Sequence, residues 1–180
     1  LSAPYTSARL AEAGARVIKI EREEGDFARY YDDFVNGESA YFVWANAGKE
    51  SITLNLKDEA DSDLLRRLLQ KADVLLQNLI PGALTRLGFN PDKLRKEYPS
   101  LIICSVSGYG EDGSYRDQKA YDLLIQAESG LCSITGTGDK LTRVGVSVSD
   151  ISAGMTAYQE ILQALFARER DPKNQGRVIN

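Results

Sequence analysis

Any chemistry in this sequence is done without histidine, for none occurs in its 180 residues. That removes Ser-His and Cys-His catalysis, imidazole metal sites and a histidine general base. A carboxylate, a hydroxyl or a lysine is left to carry any reaction. Among the carboxylates, Asp150 stands in Ser147-Val148-Ser149-Asp150-Ile151-Ser152-Ala153-Gly154-Met155, at the mouth of the longest helical pattern. Two roles fit that place. Asp is a favoured N-cap, worth about 1 kcal/mol to a helix. It is also a carboxylate nucleophile on a strand-to-helix turn, where backbone N–H groups could stabilise an oxyanion on the reacting carbonyl. Local sequence leaves both readings open.

Cations mark the exits of several strand-like runs. Glu21-Arg22 and Leu54-Asn55-Leu56-Lys57 each end a run with a positive charge. Asn78-Leu79-Ile80-Pro81-Gly82-Ala83-Leu84-Thr85-Arg86-Leu87-Gly88-Phe89 follows another, with a Pro-Gly turn and a short helix. Open α/β sheets bind ligands at the carboxyl ends of their strands, and Arg22, Lys57 and Arg86 would suit a ligand bearing several phosphates. Taken singly, each is an ordinary solvated surface cation. Gly108-Tyr109-Gly110-Glu111-Asp112-Gly113 matches G-x-G-x-x-G after a strand. A dinucleotide fingerprint needs a helix to open there, whereas Ser114-Tyr115-Arg116-Asp117-Gln118 has no apolar face. Glu111 and Asp112 would also place negative charge beside a diphosphate. A loop is the better reading.

The elements that must position these groups alternate between helix and strand. Pro4 to Ala13 has helical composition with Pro near its first turn, and Gly14 can close it before the strand Arg16-Val17-Ile18-Lys19-Ile20. Residues 22–38 are charged and irregular, and Tyr41, Phe42 and Trp44 belong to a helix preceded by Ser39. Ser51 to Leu56 alternates like a half-buried strand. Asp58, Glu59, Asp61 and Asp63 then open a helix that Arg66, Arg67 and Lys71 close, as the macrodipole favours. Its apolar face is Ala60, Leu64, Leu65, Leu68, Leu69 and Ala72. Val74-Leu75-Leu76 and Leu101 to Val106 are short buried strands, and Tyr121 to Ser129 is a helix. The longest helix runs from near Asp150 to Arg168, with Ile151, Met155, Tyr158, Leu162 and Leu165 spaced as its inner face. Strands separated by helices predict an α/β fold with an open, mostly parallel, Rossmann-like sheet and helices on both faces.

Composition excludes several partners. Lys and Arg total 22 against 26 Asp and Glu, so a net charge of −4 gives no overall attraction for nucleic acid or anionic membrane. No apolar run approaches a membrane span, and Leu1 to Arg9 lacks the blocks of a signal peptide. Cys104 and Cys132 lie in apolar segments and form no disulfide framework, which fits a reducing, cytoplasmic setting. The expected domain is 1–180. Its first strand precedes Leu1, and Gly176-Arg177-Val178-Ile179-Asn180 reads as a strand only just begun.

Taken in order, the segments resemble the class III CoA-transferases, the family of formyl-CoA and carnitine CoA-transferases. The resemblance rests on Leu10 to Glu21, Gly25-Asp26, Asn46-Ala47-Gly48-Lys49, Leu54 to Lys57, Ala72-Asp73-Val74, Asn78 to Gly82 and Arg86 to Phe89. It continues through Ser107 to Gly110, Tyr121-Asp122, Gln126-Ala127, Gly130, Thr135-Gly136 and Asp150 to Gly154. It implies transfer of coenzyme A from an acyl-CoA donor to a small carboxylic acid, with Asp150 as nucleophile and neither metal nor nicotinamide or flavin. It implies CoA contacts at Ser2, Arg22, Leu54, Lys57, Asn78, Leu79, Arg86, Lys119 and Tyr121. It further implies that 1–180 is the N-terminal part of a large CoA-binding domain in an interlocked homodimer. The rest of the family chain supplies a small domain and a mobile glycine-rich loop over the site. Ala3-Pro4, Asn46-Ala47-Gly48-Lys49 and Gln77-Asn78-Leu79 depart from the family's commoner runs.

Two other functions compete. An acyl-CoA racemase of the same fold needs an acid/base pair, and that family uses a histidine where Tyr121 stands here. A tyrosine of pKa near 10 replaces it poorly. A non-catalytic CoA-binding module would leave Asp150 as a cap alone.

Overall fold

The computed structural model describes residues 1–180. In chain order it forms α1 (Ser2–Glu12), β1 (Ile18–Glu21), α2 (Ala40–Asn46), β2 (Glu50–Thr53), α3 (Glu59–Leu69) and β3 (Val74–Gln77). There follow α4 (Ala83–Arg86), α5 (Pro91–Glu97), β4 (Ile102–Ser105), α6 (Asp122–Glu128) and α7 (Leu131–Ile134). The chain continues through β5 (Gly136–Thr137), β6 (Lys140–Leu141), α8 (Val148–Arg170) and β7 (Val178–Ile179).

Leu101-Ile102-Ile103-Cys104 is apolar at every position, the pattern of a strand covered on both faces. β4 is buried throughout and pairs in parallel with β3 on one side and β7 on the other. Alternation then sorts its side chains. Ile103 joins Leu75, Leu65, Leu69, Phe89 and Leu94 on the α3 and α5 face, while Cys104 joins Leu76, Leu10, Ala157 and Ile161 on the α1 and α8 face. Helices therefore cover both faces, as expected of this α/β fold. Burial pushes the Cys104 thiol up to about 11, which makes it an inert core residue.

The single parallel sheet expected from the pattern is divided. β1 and β2 form their own parallel pair, with Ile20 opposite Ile52. What joins this pair to the β3–β4–β7 sheet is apolar packing, for Ile20 and Ile52 lie against the same leucine cluster as Leu75 and Ile103. β5 and β6 make a small antiparallel hairpin that has no counterpart in the sequence reading. Two-residue strands carry too few positions to show alternation. α5 is a further helix outside the sequence reading; Asn90 caps it by accepting the Lys93 N–H at 3.1 Å and Pro91 opens it.

The helical face of α8 differs from expectation by one position. Gly154, Ala157, Ile161 and Ala164 are buried, whereas Met155 and Leu162 are 48% and 40% exposed. The reason is the closeness of α1. A Cβ at Gly154 would lie 2.8 Å from the Ser2 carbonyl oxygen and 2.9 Å from Tyr5 Cδ1. Thr6 Oγ1 sits 2.9 Å from both Ser2 O and Gly154 O, so its one proton is shared between the two helices. Small residues win the inner face at this level because backbone meets backbone there, and Met155 and Leu162 are turned outward. Ser2 and Thr6 meet Gly154 while Leu10 meets Ile161, so α1 and α8 run parallel with their N-termini at one end.

This packing is testable by paired substitutions. Gly154→Val should lower stability by about 3 kcal/mol through overpacking. Met155→Ala should stay within about 0.5 kcal/mol, as exposed positions do. Urea unfolding of both variants measures the difference, and equal losses would contradict this helix register.

Candidate active site

The first turn of α8 has all its N–H groups spoken for. Asp122 Oδ1 accepts from Ser149 N at 2.8 Å and Asp150 N at 3.2 Å. Val148 N–H goes to Val146 O and Ile151 N–H to Ser147 O, at 2.8 and 2.9 Å. The first three are donors that a helix start leaves without an intrahelical partner, and Ile151 N–H to Ser147 O is the first bond of the helix itself. Two of the sequence readings of Asp150 are thereby corrected. It is not the cap, because Asp122 performs that function from 28 residues upstream. Nor do these amides form an oxyanion site, because each already has an acceptor.

Asp150 is instead a first-turn carboxylate with its side chain 32% exposed and no capping duty. Its Oδ2 lies 3.7 Å from the main-chain nitrogen of Leu1, which brings the start of α1 against it. Tyrosines gather nearby. Tyr41 Oη is 3.5 Å from Ser147 Oγ at the N-cap of α8. Burial, with the negative charges of Asp26 and Asp150, holds the Tyr31 phenol above its ordinary pKa, so it stays a hydroxyl donor. Edge-to-face and tilted contacts link Phe27, Tyr31, Tyr41, Trp44 and Tyr5 at centroid distances of 5.5–6.2 Å. None of these rings was singled out for the site from sequence.

A part-buried ionic cluster around the buried Glu21 supports this wall. Glu21 closes β1 and accepts from Arg29, at 2.9 and 3.1 Å, from Asp26 N at 2.9 Å and from Ser51 Oγ at 3.0 Å. Arg29 foremost holds the Glu21 carboxyl down at about 2. Burial opposes ionisation of Asp26, yet Lys19 at 2.6 Å and the Ala28 N–H keep its carboxyl below the usual value. Lys19 and Arg29 lie over the Phe42 ring, at 4.7 and 3.9 Å from its centroid. Residues 22–38, irregular in pattern, are thus fixed at their start by charge. Lys49, from the Asn46-Ala47-Gly48-Lys49 run, points inward and donates to Ala45 O, Pro4 O and Asn46 Oδ1 at 2.7, 2.8 and 3.1 Å. Burial brings its pKa down to about 8.

The expected CoA contacts divide by place. Arg22 follows β1, Lys57 lies beyond β2, Asn78 and Leu79 follow β3, and Arg86 ends α4. Lys119 and Tyr121 lie on the connection leaving β4. All of these are exposed, and all lie on segments that leave the carboxyl ends of parallel strands. Arg22 has Glu24 at 3.5 Å, and Arg86 Nη1 lies 3.5 Å from Pro81 O. Leu54 and Ser2 differ, being only 4% and 6% exposed. Leu54 sits in the core and its N–H donates to Glu21 O, which leaves its carbonyl as the group able to meet a ligand. The G-x-G-x-x-G segment forms turns and no helix, and a Cβ on Gly108 would run into Ala120. Its glycine serves a close approach of chain to chain. No helix is long and apolar enough to cross a membrane.

A family model described as CoA-transferase family III matches residues 1–180. An acetyl-CoA:oxalate CoA-transferase of Acetobacter aceti is 46% identical over 96% of this chain and 45% of its own length. A succinyl-CoA:glutarate CoA-transferase of Mus musculus is 38% identical over 96% of the chain and 40% of its own. The crystal structure of a CAIB/BAIF family protein from Brucella suis superposes with a TM-score of 0.93 at 35% identity, covering 99% of this chain and 48% of that one. The chain therefore spans less than half the length of these relatives, and it belongs to CoA-transferase family III.

Two stability measurements check the site. Asp122→Ala should cost about 1–2 kcal/mol by uncapping α8, while Asp150→Ala should cost under about 0.5 kcal/mol. A larger loss at Asp150 would reverse the assignment of the cap. Glu21 has a folded pKa below its unfolded value, so its stabilisation is complete above pH 4.5 and is lost as pH falls toward about 2. Glu21→Gln should cost about 3 kcal/mol at neutral pH by leaving Arg29 unpaired, and should flatten that acid limb in pH-dependent unfolding.

Proposed function

We propose that, as a member of this family, the protein moves coenzyme A between an acyl-CoA thioester and a free carboxylic acid, with Asp150 as the nucleophile. The observation that carries this reading is the release of Asp150 from capping. A carboxylate at the start of a long helix, part-exposed and bordered by phenols, is there for something other than the helix end when Asp122 already holds that end.

The chemistry balances without an added acid or base. The Asp150 carboxylate attacks the thioester carbonyl and expels CoA thiolate, giving an acyl-aspartyl anhydride. The thiolate attacks the aspartyl carbonyl, releasing the first acid as its carboxylate and leaving a thioester between Asp150 and CoA. An acceptor carboxylate attacks that thioester, and the returning thiolate takes the new acyl group and frees Asp150. Splitting one exchange into several carbonyl substitutions is the general advantage of a covalent carboxylate. With the α8 amides occupied, oxyanion stabilisation is left to groups facing Asp150 from outside its own helix, the Tyr31 hydroxyl among them.

Arg22, Lys57, Arg86 and Lys119 receive the phosphates of CoA, with Ser2, Leu54, Asn78, Leu79 and Tyr121 completing its contacts. Their position at the carboxyl ends of parallel strands supports this reading. Small dicarboxylic acids are the acceptors of choice, in keeping with the oxalate and glutarate in the names of the relatives. We further take 1–180 as the N-terminal part of the large CoA-binding domain of a cytoplasmic, interlocked homodimer. The racemase alternative finds no support at Tyr121, which is 64% exposed and is no substitute for a histidine base.

In the full-length protein, Asp150→Ala should abolish transfer from acetyl-CoA to oxalate or glutarate while leaving CoA binding within about twofold. Borohydride or hydroxylamine trapping with acyl-CoA should modify Asp150 alone. Normal turnover by the variant would refute the assignment. Single Ala substitutions of Arg22, Lys57, Arg86 or Lys119 should weaken CoA about 10- to 100-fold, less at high salt, as read by calorimetry.

A further inference from the structure

Gln126 is a fully buried polar side chain, with no exposed surface. It lies on α6, where Leu123 and Leu124 are 47% and 43% exposed. An amide is thus inside while two leucines beside it are outside, which reverses the usual preference. Hydrogen bonding accounts for the inversion. Gln126 Nε2 donates to Asp122 Oδ2 at 2.7 Å and lies 3.4 Å from Val144 O and Val146 O. Its Oε1 accepts from Val144 N at 2.8 Å.

Those partners are the segment that feeds α8 and the carboxylate that caps it. Asp122 uses its other oxygen for Ser149 N and Asp150 N, and Val146 O receives Val148 N. One buried amide therefore fixes the approach to α8 and the rotation of its cap together. A methionine of similar volume would leave Val144 N and Asp122 Oδ2 without a partner. A carboxylate would face Asp122 charge to charge.

We infer that Gln126 is a positioning residue for the reaction: through Asp122 and the 144–146 segment it sets the backbone at Asp150 and so the direction from which that carboxylate meets the thioester. This rests on Asp150 being the nucleophile, and misplacement of a reacting group by about 1 Å can cost about 100-fold in rate.

The test uses the full-length protein with acetyl-CoA and oxalate as the probe pair, together with hydrogen exchange. Gln126→Glu supplies a signature that lost packing cannot mimic. Burial and Asp122 both raise the pKa of the introduced carboxyl. Protonated, it donates to Asp122 as the amide does; ionised, it repels. Its kcat should match the wild type at low pH and fall at least tenfold as pH rises between about 5 and 8, with the KM for acetyl-CoA unchanged. Gln126→Met should lose at least tenfold in kcat at every pH, and exchange at the Ser149 and Asp150 amides should accelerate at least tenfold.

Superimposable pH profiles for Gln126→Glu and wild type would overturn the inference. If Gln126→Glu does not fold, Gln126→Met decides: a lower melting temperature with wild-type kcat and unchanged exchange also overturns it. Exchange needs no turnover. Loss of amide protection in Gln126→Met alongside a wild type that transfers nothing would refute the proposed activity while upholding the positioning of the α8 backbone.

Discussion

The Asp150 end of the molecule depends on two helices touching backbone to backbone. At Gly154 there is no room for even one carbon, and Thr6 shares its hydroxyl proton between the two helices at that level. Because α1 and α8 approach so closely and run parallel, the start of α1 lies against the first turn of α8. Had the larger Met155 face been turned inward, the helices would stand apart and Asp150 would lose its neighbour. Small side chains here are a condition of the site's geometry as much as of its packing.

β4 supplies the complementary constraint. Its apolar residues serve two cores at once, Ile103 on one face and Cys104 on the other, so the α1–α8 pair and the α3–α5 layer are referred to a single strand. The expected phosphate-binding cations leave strands that are tied to this frame by ladders or by the shared leucine cluster. The separate β1–β2 pair carries Arg22 and Lys57 beyond its carboxyl end. The charged cluster of Glu21, Arg29, Lys19 and Asp26 ties the following segment back onto that pair.

Features written within a few residues were readable from sequence. The Asp58 cap, the acidic opening and basic close of α3, and the cations at strand exits all involve neighbours along the chain. The α/β class followed from alternation, and the family from an ordered set of short segments. What the sequence did not show was cooperation across distance. Asp122 caps a helix that begins 26 residues later in the chain, and nothing near Asp122 marks that partner. On α8, Tyr158 and Leu165 pack against the core as the spacing predicts, but hydrophobicity also favours Met155 and Leu162, where the closeness of α1 favours glycine and alanine. Gln126 carries a usable signal, an amide within a run of apolar residues, but its distant partners, Val144 and Val146, lie in a loop with no periodicity at all.

A helix start with open amides is a natural seat for phosphate, sulfate or any loose carboxylate. In α8 that seat is taken from within the chain, because Asp122 is itself the resident anion. Inorganic ions that crowd the solvent are thereby denied a foothold one residue from Asp150. The same contact that fixes the backbone thus leaves the Ser149 and Asp150 amides with no donor to offer an anion from solvent.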